Sequence, residues 1–255
     1  MSKIEINICH LYPDLLNLYG DRGNVSTIVQ RLEKRGIKTR VTELCLGMEL
    51  KPEDFDIFFI GGGQDFEQSV LLKDLKDLKK DKAISEAIEG NKTFLAICGG
   101  YQMLGNYYET WDGKQMPFIG AIDFYTVGAK ERMVGDFMYQ LDDEDIDVVG
   151  FENHSGRTYL GNNVKPLGRV LAGSGNNGED KTEGVHYRNV FATYSHGPVL
   201  PKNPAFCDLI LKETLKQKYP DKIIELSELD DEIENKAHKY MVKRLALGIK
   251  QSSNF

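Results

Sequence analysis

Lys92-Thr-Phe-Leu-Ala-Ile-Cys98-Gly99-Gly100-Tyr101-Gln102-Met103-Leu104-Gly105 is an apolar run that stops at a cysteine, passes two glycines and opens into a helix-compatible stretch. A short apolar run bounded by glycine reads as a buried strand, so the segment spells strand, tight turn, helix. The glycines let the backbone turn sharply and approach a ligand, and a helix N-terminus behind the turn favours a thiolate through its partial positive charge. A nucleophile is mounted on a sheet in this way. The same residues also suit a buried Cys98 that is only a small hydrophobe at a strand end, and the pattern alone leaves both readings open.

Outward from this turn, Ile4 to Leu11, Ile37 to Leu44, Asp56 to Ile60 and Thr93 to Cys98 read as strands, with helical patterns between them. Val25, Ile28, Val29 and Leu32 recur at helical spacing behind Asn24 as a cap, and Gly36 closes that helix. Leu71, Leu72, Leu75 and Leu78 make a second stripe, and Ala83 to Ile88 a third. Strands alternating with helices predict an α/β fold with a parallel, doubly wound sheet covered on both faces. From Phe118 to Tyr194 the pattern shifts to β-like runs at Phe118 to Val127, Val148 to Phe151, Arg169 to Ala172 and Asn189 to Tyr194. Gly173 to Gly178 reads as an exposed turn. A helix follows Pro204 to about Lys218, and Ser227-Glu-Leu-Asp230 reads as a capping box. The helix it opens would carry Leu229, Ile233, Ala237, Tyr240 and Met241 on one face. With no internal repeat and no linker, residues 1–250 are expected to form a single domain and 251–255 a frayed tail.

A second glycine turn, Ile60-Gly61-Gly62-Gly63-Gln64-Asp65, also follows an apolar strand, so both turns fall at the carboxyl ends of parallel strands, where α/β proteins place ligands. Backbone N–H groups at Gly62 or Gly63, joined by that of Gly99, could hold an oxyanion formed when Cys98 attacks a carbonyl. Gly61-Gly62-Gly63 lacks the Lys-Ser/Thr of a Walker motif and the G-x-G-x-x-G spacing, so it is a poor phosphate loop. A cysteine nucleophile needs a base. His196 and His154 each end a strand-like run, and position does not separate them; His10 also follows a strand, His238 sits in a charged helix where it should be solvated, and His186 has no assignment.

Composition narrows the classes further. In 255 residues there are 32 Lys and Arg against 39 Asp and Glu, a net charge of −7, which argues against a nucleic-acid binder that neutralises phosphates broadly. The four cysteines, Cys9, Cys45, Cys98 and Cys207, lie far apart with no zinc spacing, so they read as reduced thiols and no metal site is expected. Neither a leader-like N-terminus nor a membrane-length apolar run is present in the sequence, and a cytoplasmic protein is expected.

The cysteine turn Cys98-Gly-Gly-Tyr-Gln102, with a histidine about a hundred residues later at a strand end, resembles the class I glutamine amidotransferases of the cobyric-acid-synthase-like branch. His10-Leu-Tyr-Pro13 continuing to Leu18-Tyr-Gly-Asp21-Arg-Gly-Asn24, Gly61-Gly-Gly-Gln-Asp65, Gly150-Phe-Glu-Asn-His154-Ser-Gly-Arg157-Thr158 and Tyr194-Ser-His196-Gly-Pro198 look, within that branch, like the glutaminase subunits of lipid II isoglutaminyl synthases. The resemblance implies a three-layer α/β domain with a largely parallel central sheet. It implies Cys98 as nucleophile, His196 as its base, Gly62 or Gly63 with Gly99 around the oxyanion, Gln102 beside the substrate, and Arg132 on the α-carboxylate of glutamine. Gln64, Asp21 and His154 would lie near the cleft. One departure stands out: Pro198 occupies the place, two residues after His196, where many relatives carry a glutamate that orients the histidine, so a Cys-His dyad is implied. The products would be glutamate and ammonia. Ammonia would pass to a Mur-ligase-like synthetase partner in a hetero-oligomer, which would use ATP and Mg to amidate the D-glutamate α-carboxylate of lipid II; this chain itself would need no cofactor. Corrinoid amidation is the nearest alternative, but its synthetase domain would be expected ahead of the glutaminase domain, and only about nine residues precede the first family-like segment. A non-catalytic interaction subunit and a cysteine peptidase or deglycase are further readings of the same pattern.

Overall fold

A computed structural model of the chain describes the backbone of residues 4–63 and 65–252 and the side chains of 4–63 and 70–248. β1 (Glu5–Leu11), β2 (Lys38–Leu44), β3 (Ile57–Ile60) and β4 (Thr93–Ile97) run parallel. β12 (Val190–Thr193) adds parallel beside β4 and β11 (Val185–Tyr187) antiparallel at the edge, giving the order β11-β12-β4-β3-β1-β2. The central strands Ile57-Phe-Phe-Ile60 and Thr93 to Ile97 are buried at every residue. That is what helices on both faces require of a parallel strand. α1 (Arg22–Glu33) packs with α5 (Pro204–Lys218), and α2 (Asp65–Asp77) packs with α3 (Lys80–Glu89) and the short α4 (Gly99–Met103). The expected α/β sheet flanked by helices is what forms.

The β-rich middle of the chain builds a second sheet from β5 (Tyr107–Glu109), β6 (Gln115–Pro117), β7 (Phe124–Leu141), β8 (Asp147–Leu160), β9 (Gly168–Ala172) and β10 (Thr182–Glu183). Its order is β10-β9-β7-β5-β6, with β8 also pairing along β7. All neighbours are antiparallel except β5 and β7. The sheet joins the first at one place that matters: Phe151 on β8 and His196 exchange backbone hydrogen bonds of 3.3 and 2.8 Å.

Several local expectations need correction. The strand read at Phe118 to Val127 begins only at Phe124, and β7 then continues through the charged Lys130-Glu-Arg132, because the register shifts between Gly128 and Met133 and lets these charges protrude. Asn24 is not the cap of α1; the helix starts at Arg22, and the Asn24 side chain is buried, accepting from Leu200 N–H (2.9 Å). Gly173 to Gly178 is not simply an exposed turn. Asn176 and Asn177 within it are buried, and Asn176 accepts from Tyr101 Oη (3.1 Å) and Gly184 N–H (2.9 Å). The last helix, α6 (Glu232–Ser252), starts after the expected box, and the residues before it serve α1 instead: Asp231 pairs with Arg31, and Ser227 O accepts from Arg35. Ile233 and Tyr240, expected to face the core, are 80% and 67% exposed. His238 is half-buried against Lys202 O and Asn203 Oδ1 rather than solvated. The tail expected to fray overlaps this helix at Gln251 and Ser252, while Ser253 to Phe255 lie outside the described residues.

Candidate active site

β4 stops at Ile97 and the chain reverses at Cys98, whose φ of 50° and ψ of −106° put a non-glycine residue where side chains rarely go. The turn is held from both sides. Cys98 N–H donates to Thr193 O on β12 (2.9 Å), and Cys98 O accepts from Gln102 N–H in α4 (2.9 Å). Gly100 is required because a Cβ there would stand 2.5 Å from Ile60 Cγ2 and 2.7 Å from Gly61 O, so α4 lies hard against the end of β3. The strand-turn-helix reading therefore holds, and it leaves Cys98 only 6% exposed. α4 is five residues long, too short for its dipole to hold a thiolate unaided.

The balancing charge comes from His196. Its backbone is pinned to Phe151 and its ring is buried, with Nδ1–H donating to the Asp21 carboxylate at 3.2 Å (Oδ2) and 3.4 Å (Oδ1). Asp21 is fully buried at the start of α1, and its Oδ2 also accepts Gly62 N–H (2.9 Å). A Cβ built on Gly62 would lie 2.5 Å from His196 Cε1, 3.2 Å from Asp21 Oδ2 and 3.4 Å from Cys98 Cβ. Thiol, imidazole and carboxylate thus converge on one glycine. Burial pushes the imidazole down, but Cys98 and Asp21 beside it outweigh burial and raise it to about 10. An imidazole held that high stays protonated at neutral pH, the condition for a neighbouring thiolate. By contrast, burial pushes the Cys9 and Cys207 thiols up to about 12.

The resemblance puts Asp21 near the cleft but does not pair it with His196. That partner lies 175 residues away, and an aspartate ahead of a helical stripe reads as a cap. Pro198 packs against Gly23 of α1, where a Cβ would come within 2.5 Å of its Cγ, and Asp21 immediately precedes that helix. Asp21, 175 residues away in sequence, thus stands beside the expected Cys98–His196 pair.

A cavity of about 450 Å³ opens onto Cys98, and Gly63, Gln102, Arg132, Tyr19 and His154 are among its lining residues. Arg132 sits at the β7 register shift, its Nε donating to Asn153 Oδ1 (2.8 Å) and Nη2 to Asn153 O (2.9 Å). Held there, the guanidinium can still present Nη1 and Nη2 hydrogens to a carboxylate. The Gly62 N–H is committed to Asp21, whereas Gly63 borders the cavity and Gly99 follows the nucleophile in the turn. Gln102 is buried, with Nε2 donating to Tyr194 Oη (3.0 Å). His154 stacks on Tyr194 at 3.5 Å and its Nδ1–H donates to Gly156 O (2.8 Å), so it anchors the cavity wall; burial lowers its pKa and keeps it neutral. The structure thus separates the two histidines that position left equivalent. His10 is buried edge-on to Phe59 and pushed down by burial to about 4, and it does not line the cavity. Gln64 lies outside the described residues.

Residues 7–204, which contain every element of this site, match the model of the CobB/CobQ-like glutamine amidotransferase domain. The chain belongs to that family. It is 43% identical to the GatD subunit of the glutamine-hydrolysing lipid II isoglutaminyl synthase of Staphylococcus aureus (strain N315) over 240 residues, 94% of this chain and 96% of the relative. Identity to the Streptococcus pneumoniae (strain ATCC BAA-255 / R6) GatD subunit is also 43%, over 216 residues, 84% and 82% of the two chains. Cobyric acid synthase of Listeria innocua serovar 6a (strain ATCC BAA-680 / CLIP 11262) is 28% identical over 184 residues, 68% of this chain but 35% of the relative. This amidotransferase chain is thus more similar to the two GatD subunits than to this cobyric acid synthase.

Proposed function

We propose that the chain is the glutamine-hydrolysing subunit of a lipid II isoglutaminyl synthase and that Cys98, His196 and Asp21 carry out the hydrolysis. The single observation that carries the residue assignment is the convergence of all three on Gly62 at the rim of the Arg132-lined cavity. Arg132 binds the α-carboxylate of glutamine end-on, as a planar fork suits. The Cys98 thiolate attacks the side-chain amide carbon, forming the C–S bond, and the Gly63 and Gly99 N–H groups take the oxyanion. His196 passes its proton to the amide nitrogen as the C–N bond breaks and ammonia leaves. It then takes a proton from the water that cleaves the γ-glutamyl thioester, returning glutamate and the free thiolate. Asp21 holds Nδ1–H throughout, so that Nε2 is the nitrogen that exchanges the proton.

Ammonia is then consumed by a Mur-ligase-like synthetase subunit that binds ATP and Mg and amidates the D-glutamate α-carboxylate of lipid II; this chain supplies no cofactor of its own. The two GatD relatives, covered almost along their length, support this over corrinoid amidation. No helix among the described residues is long and apolar enough to cross a membrane. Co-purification with such a synthetase, and glutamine-dependent amidation of lipid II by the pair, tests the assignment. Amidation supported equally well by the synthetase with glutamine alone would overturn it.

A further inference from the structure

Of the described non-glycine residues with a left-handed backbone, Tyr19 and Cys98 line the cavity, and the mechanism leaves Tyr19 unused. It sits in a one-turn 3-10 helix, Leu18–Gly20, with φ 56° and ψ 21°, left-handed values that cost a tyrosine and not a glycine. Its side chain is half-exposed, so burial of apolar surface does not explain why the strain persists. Its contacts do. The ring stands edge-on to the His196 ring, with centroids 4.9 Å apart, and edge-on to Phe151 at 5.7 Å. The hydroxyl accepts a hydrogen bond from Asn153 Nδ2. Asn153 holds Arg132 through both its side-chain and backbone oxygens, and Phe151, two residues earlier on β8, is the backbone partner of His196. One side chain therefore touches the base at one end and the support of the carboxylate clamp at the other, across the mouth of the cavity that both line up on.

We infer that Tyr19 is a positioning residue that fixes the spacing between the Arg132 guanidinium and the Cys98–His196 pair, and so selects a substrate whose carboxylate and reacting amide lie a glutamine's length apart. This rests on the reading of Arg132 as the carboxylate clamp. Without the hydroxyl, Asn153 loses the partner on Nδ2 that orients its amide, and Arg132 is held less tightly while Cys98, His196 and Asp21 are untouched.

Steady-state glutamine hydrolysis by the chain with its synthetase partner tests this, comparing wild type, Tyr19→Phe, Tyr19→Gly and Arg132→Ala, with asparagine as a competing shorter substrate. For Tyr19→Phe the expected result is a five- to twentyfold rise in KM for glutamine with kcat within twofold. Tyr19→Gly should show at least that rise, a smaller preference for glutamine over asparagine, and a melting temperature equal to or above wild type, because glycine relieves the left-handed strain. A purely structural tyrosine would instead lower the melting temperature and leave KM alone. Unchanged KM in Tyr19→Phe, with Arg132→Ala strongly impaired, would overturn the inference about Tyr19 and leave the clamp standing. Unchanged KM in Arg132→Ala would remove the clamp and the inference with it.

Discussion

Replacing Asp21 with asparagine keeps the volume and removes only the charge, and the geometry makes its effect specific. Asn Oδ1 can still accept the Gly62 N–H now bound at 2.9 Å. That oxygen takes the place of Oδ2, 3.2 Å from His196 Nδ1, while the new NH2 takes the place of Oδ1, 3.4 Å away, so the charge is lost and a donor is set against Nδ1–H. The same carboxylate-to-amide change behind the histidine of a Ser-His-Asp triad lowers kcat by ~10⁴-fold, so a loss of ~10²- to ~10⁴-fold is expected here. The same change weakens the hold on the imidazolium, which Cys98 and Asp21 together raise to about 10 against burial. Stability from that raised group is complete below its ordinary value of about 6.5 and is lost as pH rises through about 10. Asp21→Asn should therefore lose that stability at lower pH than wild type. Iodoacetamide reads the site without any partner: the rate at which Cys98 alkylates should fall in Asp21→Asn, because the imidazolium beside it is less firmly held. Turnover within fivefold of wild type and an unchanged alkylation rate would refute the assignment of Asp21.

Gly62→Ala should lower kcat by more than ~10²-fold and cost about 1–3 kcal/mol of stability, since its Cβ would press on the buried His196 Cε1 at 2.5 Å while the backbone φ tolerates alanine; circular dichroism beside turnover checks it. Arg132→Lys should raise KM for glutamine by about tenfold, because an ammonium cannot make the forked contact, with kcat little changed in a full saturation curve. Glu183 is fully buried, accepts from Thr193 Oγ1 (2.6 Å) and Tyr194 N–H (2.8 Å), and is pushed up by burial to about 8. Its contribution to stability is complete below about 4.5 and lost as pH rises through about 8. Glu183→Gln, which mimics the protonated acid, should flatten the fall in Tm over that window in a thermal scan series; an unchanged slope would show that Glu183 does not titrate there.

The parallel sheet was legible because its strands are short, apolar and punctuated by glycine, and the Cys98 turn because its constraints are local: two glycines and a strand end. The second sheet was only half legible. Charges on β7 mask its length, since a strand with a register shift at Gly128 to Met133 exposes Lys130, Glu131 and Arg132 and reads as a turn. α6 misled for the opposite reason: Ile233 and Tyr240 fit a buried face by period, but the helix lies against β7, β8 and β9 through other residues. Tyr19 was invisible as a site residue, and Asp21, which the resemblance put near the cleft, was invisible as the partner of His196, because what ties them to the site is contact with Asn153 and His196, more than 130 positions away.

The central claim, that Cys98 and His196 hydrolyse glutamine in this cavity, is tested most directly by ammonia release from glutamine with the synthetase partner present, comparing wild type with Cys98→Ala and His196→Ala. Release by the wild type that is abolished in Cys98→Ala and reduced by at least ~10³-fold in His196→Ala is the expected result. Full release by Cys98→Ala would contradict it.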